Sequence, residues 1–84
     1  MRNGITNSMK HLNGKNGIIL IHSSIYGDQT IYTKINLIDD KNKVGIHIGR
    51  QDIYLEMGEI VEVKILEKSA LIVGDIMQIK INVE

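Results

Sequence analysis

The chain has 84 residues, no cysteine and no net charge, since 10 Lys and Arg balance 10 Asp and Glu. This length suffices for one domain, and the lack of cysteine excludes disulfides and thiolate-bound metal from this sequence. No run approaches the roughly 18 to 20 apolar residues of a membrane-spanning helix, and no apolar stretch follows Met1, so we expect a soluble cytoplasmic protein with neither a membrane segment nor a signal peptide.

Isoleucine supplies most of the hydrophobicity, with 17 in the chain, whereas Phe, Trp and Pro are absent. A β-branched side chain suits a pleated, half-buried strand and loses rotamer freedom in a helix. The composition therefore favours strands. Because a chain of this length builds a thin core that no disulfide can strengthen, we also expect it to form a homo-oligomer.

The first 16 residues are polar and rich in Asn and Gly, with Ile5, Met9 and Leu12 as their main apolar side chains. These three lie at near-helical spacing, but the glycines and asparagines disfavour a stable helix. We therefore expect residues 1–16 to form a flexible arm or a short edge strand, and residues 17–84 to form a single small β-barrel domain.

The next part of the chain indicates strands that are joined by short polar turns. Residues 18–21 are all aliphatic, which is typical of a central strand that is buried on both faces. Residues 30–39 and 43–50 alternate apolar and polar side chains on either side of a polar turn. We predict that these two segments pair with each other as a hairpin.

The remainder of the chain repeats this pattern. Residues 59–67 and 76–83 alternate, and residues 70–73 form a short aliphatic run before the tight turn Gly74-Asp75. Six or seven such strands predict an all-β fold, which we expect to be a small antiparallel barrel of SH3-like or OB-like type, or a tight sandwich, with a loose N-terminal arm.

Several short motifs resemble the SH3-type FeoA domains of ferrous iron transport. They lie within residues 12–18 and 57–81 and include Met57-Gly58, Val61-Glu62-Val63, Ser69, Leu71 and Gly74-Asp75. The resemblance implies an SH3-like barrel. We carry no activity from it, because a shared fold is weak evidence of a shared function.

Residues that could support catalysis or bind a metal do not form a recognisable motif. No two of His11, His22 and His47 have the close spacing of familiar metal-binding pairs, and neither a serine elbow nor a glycine-rich phosphate loop occurs. We therefore expect no catalytic residue, no metal and no cofactor, and we interpret the protein as not an enzyme. An enzyme whose catalytic residues are dispersed along the chain is the weakest alternative.

The best candidate binding residues lie on the predicted hairpin, and they are Tyr32, Lys34, Lys43, His47 and Arg50. A tyrosine among basic side chains can stack on a base while its neighbours neutralise phosphates. Gly45 and Gly49 are predicted on the outward face beside His47, where they would let the sheet curl and leave room for a partner. The set predicts a site for a nucleic acid, a nucleotide or another small anionic ligand.

Charge is distributed unevenly along the chain. Residues 1–50 contain seven Lys or Arg and three Asp or Glu, whereas residues 51–84 contain three and seven. This is either scatter over a solvated surface or a pair of complementary faces that steer subunits or a charged partner. Our leading expectation is a self-associating binding or assembly module that captures a protein or small ligand, as a phage-type accessory protein would, and the alternative is a nucleic-acid- or nucleotide-binding barrel.

Overall fold

The computed structural model describes residues 4–25 and 27–84, and strands make up 61% of it, which confirms the all-β class. The elements in chain order are α1 (Gly4–Met9), the 3₁₀ turn η1 (Lys10–Leu12), β1 (Asn16–Ser23), β2 (Gly27–Lys34), β3 (Lys43–Ile48), β4 (Gln51–Glu56), the 3₁₀ turn η2 (Met57–Glu59), β5 (Ile60–Ile65), β6 (Ser69–Gly74) and β7 (Met77–Val83).

The strands form two antiparallel sheets. Five of them pair in the order β2-β1-β7-β6-β5, and β3 pairs with β4 in a separate two-stranded sheet. In the larger sheet β1 lies between β2 and β7, so that Ile19 stands opposite both Ile31 and Ile81. No closed barrel is found within the described residues, so the barrel that we predicted is not confirmed.

Both sheets contribute side chains to one apolar core. Ile19, Ile72 and Ile79 point into it from the larger sheet, and Val44 and Leu55 reach it from the smaller one. Side chains on the other face of the larger sheet are more exposed, among them Tyr32 and Lys80. The run at residues 18–21 is therefore buried on one face only, and its alternate side chains are half-buried.

The first described residues differ from the flexible arm or edge strand that we expected. They form α1 and η1, and the side chains of Met9 and Leu12 are fully buried in the core. The side-chain carbonyl of Asn13 accepts a 2.8 Å hydrogen bond from the Leu37 N–H and fixes this segment to the chain before β3. Core burial outweighs the poor helix propensity of this sequence. Residues 1–3 of the predicted arm lie outside the described residues.

The predicted hairpin of residues 30–39 with residues 43–50 forms only beside its turn, where antiparallel bridges join Leu37 to Ile46 and Asp40 to Lys43. Residues 30–34 belong to β2, which pairs with β1, and β3 pairs instead with β4. Only the connecting segment meets β3, through these bridges and a 2.8 Å hydrogen bond from the His47 N–H to the Asn36 carbonyl. The alternation of apolar and polar residues determines which face of the sheet a side chain occupies, but it does not determine which strand is the neighbour.

Candidate functional site

Tyr32 and Lys34, the first two predicted site residues, lie on β2 at one edge of the larger sheet. The Tyr32 side chain is 77% exposed, and Lys34 is exposed beside it. Both point away from the core, as do Lys64 and Lys80 on the same sheet, because they alternate with the inward residues of their strands. This outer face therefore carries three lysines and an exposed aromatic ring, together with the carboxylates of Asp28 and Glu62.

The other three predicted site residues lie on the smaller sheet, so the structure does not bring the whole set together on one hairpin. The ammonium of Lys43 lies 4.6 Å from the centroid of the Tyr54 ring. His47 Nδ1 lies 2.5 Å from Asp52 Oδ1 in the neighbouring strand. Arg50 is exposed in the turn between β3 and β4. Lys43 and His47 thus already have partners within their own sheet.

Of the two glycines beside His47 that we predicted to leave room for a partner, only Gly49 borders open space. A Cβ atom at Gly45 would lie 2.1 Å from the Ile53 carbonyl oxygen and 2.5 Å from Tyr54 Cα, so this glycine permits close approach of β4. Gly49 lies beyond the strand, in the turn, with φ of +59°. Here a left-handed backbone conformation favours glycine.

A second histidine–carboxylate pair, His22 with Asp28, lies across the β1–β2 hairpin. Both side chains are largely exposed to solvent, where an ion pair contributes little to stability. Within the described residues, no group of three or more His, Cys, Asp or Glu is arranged so that it could hold a metal ion.

A groove of about 350 Å³ lies between β4 and one end of the larger sheet. We call it the β4 groove. It is lined by Ile21, Ser23, Ile25 and Gln29 of the first hairpin, by all six residues of β4, by Glu59, and by Ile76 and Met77.

The floor of the β4 groove is apolar. The side chains of Ile21, Leu55 and Met77 are 9% exposed or less and close its inner side. At its mouth Ile25 is 64% exposed and Ile76 is 45% exposed. Exposed aliphatic side chains beside a concave apolar surface are typical of a binding site.

One wall of the groove is the unpaired edge of β4. Within the described residues β4 pairs only with β3. Successive side chains of a strand point to opposite faces, so a cavity that contacts every residue of a strand must lie along its edge. We infer that the backbone N–H and C=O groups of β4 that do not pair with β3 face the groove, and that they are available to a ligand except for the Glu56 N–H, which donates to Glu59 Oε1.

The charged groups that line the groove are all carboxylates. They belong to Asp52, Glu56 and Glu59, and no lysine, arginine or histidine lines the described part of the groove. Glu56 and Glu59 also cap η2 reciprocally, with the Glu56 N–H donating to Glu59 Oε1 at 3.2 Å. The carboxylates therefore have fixed positions at the rim.

Sequence reasoning missed this groove because three separate segments build it, at residues 21–29, 51–59 and 76–77. No local motif marks it. The available signal was the excess of acidic residues after position 50.

No described helix is long and apolar enough to cross a membrane. Comparison with known proteins yields no relative from which a function could be taken. No family model, curated protein or solved structure matches the chain, and the FeoA-like motifs are accordingly not supported by a family match.

Proposed function

We propose that this protein is a non-enzymatic binding module that captures a segment of a partner protein in the β4 groove. The observation that carries the proposal is the position of an unpaired strand edge beside an apolar floor. A free edge offers backbone hydrogen bonds to an extended chain, and the floor offers burial to its side chains. Self-association, expected from the small core, is the second part of the proposal.

The residues at the mouth indicate the affinity to expect. When a ligand buries Ile25 and Ile76, each side chain contributes about 1 kcal/mol to the free energy of binding, since full burial of an isoleucine contributes about 1.5 to 3 kcal/mol. Each backbone hydrogen bond to β4 adds a net 0.5 to 1.5 kcal/mol or so. Ordering of the bound segment opposes these gains. We expect dissociation constants in the micromolar range, which correspond to about 8 kcal/mol.

The test is a selection of peptides from a random displayed library against the wild-type protein, followed by titration of the selected peptides. We expect Ile25→Asp to weaken their binding at least about tenfold, because it places a charge at the apolar mouth. Val61→Asp is the matched control: its side chain is 67% exposed, close to the 64% of Ile25, and does not line the groove. Peptides that bind both variants equally well, or a selection without enrichment, would contradict the proposal.

A second candidate function, single-stranded nucleic-acid binding, is favoured by the exposed Tyr32 on the outer face of the larger sheet. Lys34, Lys64 and Lys80 share that face and could neutralise phosphates while the ring stacks on a base. The test is titration with single-stranded DNA and RNA at two salt concentrations. Binding that weakens with salt and is lost in Tyr32→Ala supports this candidate. No binding at low salt removes it.

A further inference from the structure

We propose that the occupant of the β4 groove is an extended segment that joins β4 as a third strand and alternates aliphatic with lysine or arginine side chains. This inference rests on the proposed function, because it specifies the ligand of the same groove.

Strand addition follows from the geometry of β4. Ile53 and Leu55 are on the core side of this strand, and Asp52, Tyr54 and Glu56 are on its outer side. A segment that hydrogen-bonds to the free edge takes up the same pleat, so its side chains also alternate between these two sides. Those on the core side would enter the apolar floor of the groove, which favours aliphatic residues.

The outer side of the added strand would lie beside carboxylates. Residues directly opposite each other in neighbouring antiparallel strands have Cβ atoms about 4.5 to 5.5 Å apart, where opposite charges attract and like charges repel. Lys43 and His47 approach from β3, on the paired side of β4. Asp52 is paired with His47 across the β3–β4 sheet, so Glu56 and Glu59 are the carboxylates of the groove that favour basic side chains on the outer side of the occupant.

The length of the occupant follows from the length of β4. Six residues of strand extend over about 20 Å at roughly 3.4 Å per residue. A groove of about 350 Å³ is small for a ligand pocket, so it suits the few side chains on one face of a short strand. We therefore expect a core recognition segment of about six residues.

The experiment uses three acetylated and amidated peptides that differ only in charge: KVKIKV, QVQIQV and EVEIEV. Binding to the full chain is measured by calorimetry and mapped by amide chemical shifts. We expect KVKIKV to bind about tenfold more tightly than EVEIEV, and this difference to shrink in high salt. The largest shift changes should fall on the amides of β4.

Two N-methylated forms of KVKIKV test strand addition directly. A strand offers alternate amides to its two sides, so methylation of one alternate set removes the donors to β4 while methylation of the other leaves them intact. We expect one form to lose binding at least about tenfold and the other to retain it.

The matched protein variants carry two neutralised carboxylates each. Glu56→Gln with Glu59→Gln should abolish the preference for KVKIKV over EVEIEV, whereas Glu62→Gln with Glu67→Gln, exposed positions outside the groove, should leave it unchanged. Thermal melting of both variants verifies that they are folded.

The outcomes separate the inference from the proposed function. Equal binding of all three peptides, with loss in Ile25→Asp, would overturn the charge preference and leave groove binding intact. Equal binding of the two N-methylated forms would overturn strand addition alone. Failure of every peptide, selected or designed, would overturn both. Chemical shift changes on the amides of β4 that appear when the protein alone is concentrated would identify a second copy of the chain as the occupant instead.

Discussion

Close packing at Gly45 determines how β4 lies against β3, and therefore where the groove opens. A Cβ at this position would overlap the Ile53 carbonyl and Tyr54. Tyr54 lies beneath the Lys43 ammonium, so the glycine, the ring and the cation form one layer on the outer side of the smaller sheet. The site thus depends on a residue that contacts no ligand in our proposal.

We predict that Gly45→Ala lowers the free energy of unfolding by about 2 to 3 kcal/mol, because the backbone atoms that a methyl group would meet cannot move aside without disturbing the β3–β4 pairing. Urea denaturation followed by circular dichroism measures the change. Gly58→Ala is the control, since no atom lies within 4 Å of a Cβ there, and it should change stability by less than about 0.5 kcal/mol. Equal effects of the two substitutions would refute the close approach.

At the scale of elements, α1 and η1 act as part of the core. Met9 and Leu12 have no exposed surface, and hydrogen bonds from Gly14 and Ile35 connect this segment to the chain after β2. The segment closes the core at a position that no strand covers. It therefore contributes to folding to an extent that its polar composition did not suggest.

Leu12→Ala is expected to destabilise the protein by about 2 to 5 kcal/mol, the range for truncation of a fully buried leucine. Lys10→Ala, at an exposed position of the same 3₁₀ turn, should be neutral within about 0.5 kcal/mol. The comparison is made by urea denaturation. A neutral Leu12→Ala would show that residues 4–12 are dispensable, as the expected flexible arm would be.

The elements also show where prediction from sequence succeeds. The alternation of apolar residues correctly identified the strands and their inward side chains, such as Val44, Ile46 and Ile79. Alternation could not identify which strands are neighbours, because any two alternating strands can pair. We therefore predicted that β2 pairs with β3, whereas it pairs with β1. The near-helical spacing of Met9 and Leu12 correctly indicated a helical segment, but we gave more weight to the neighbouring glycines and asparagines, which disfavour helices. No local motif marked the β4 groove, because three separate segments of the chain build it.

At the scale of the whole molecule, the larger sheet ends in two different edges. β5 has a register shift at Val61, and such a bulge disfavours pairing with another chain. β2 pairs with β1 without interruption over its eight residues, and its outer edge is regular and carries the exposed Tyr32. If the protein self-associates, the β2 edge is the better surface.

We predict that light scattering with size exclusion will give a mass above the 9.5 kDa of one chain in the micromolar range. Tyr32→Lys should weaken this association at least about tenfold by adding a charge at the β2 edge, whereas Val61→Lys should not. A strict monomer at all concentrations would remove self-association from the proposed function.

The pairing of β1 with β7 affects how the chain folds during its synthesis. Gly17 lies opposite Val83, so two of the strands that form the centre of the sheet are separated by most of the sequence. While the ribosome is still adding residues 77–83, β1 has no neighbour on one side, and its aliphatic run at residues 18–21 stays open to other chains. Slow translation of the final strand would therefore prolong the period in which nascent molecules can aggregate.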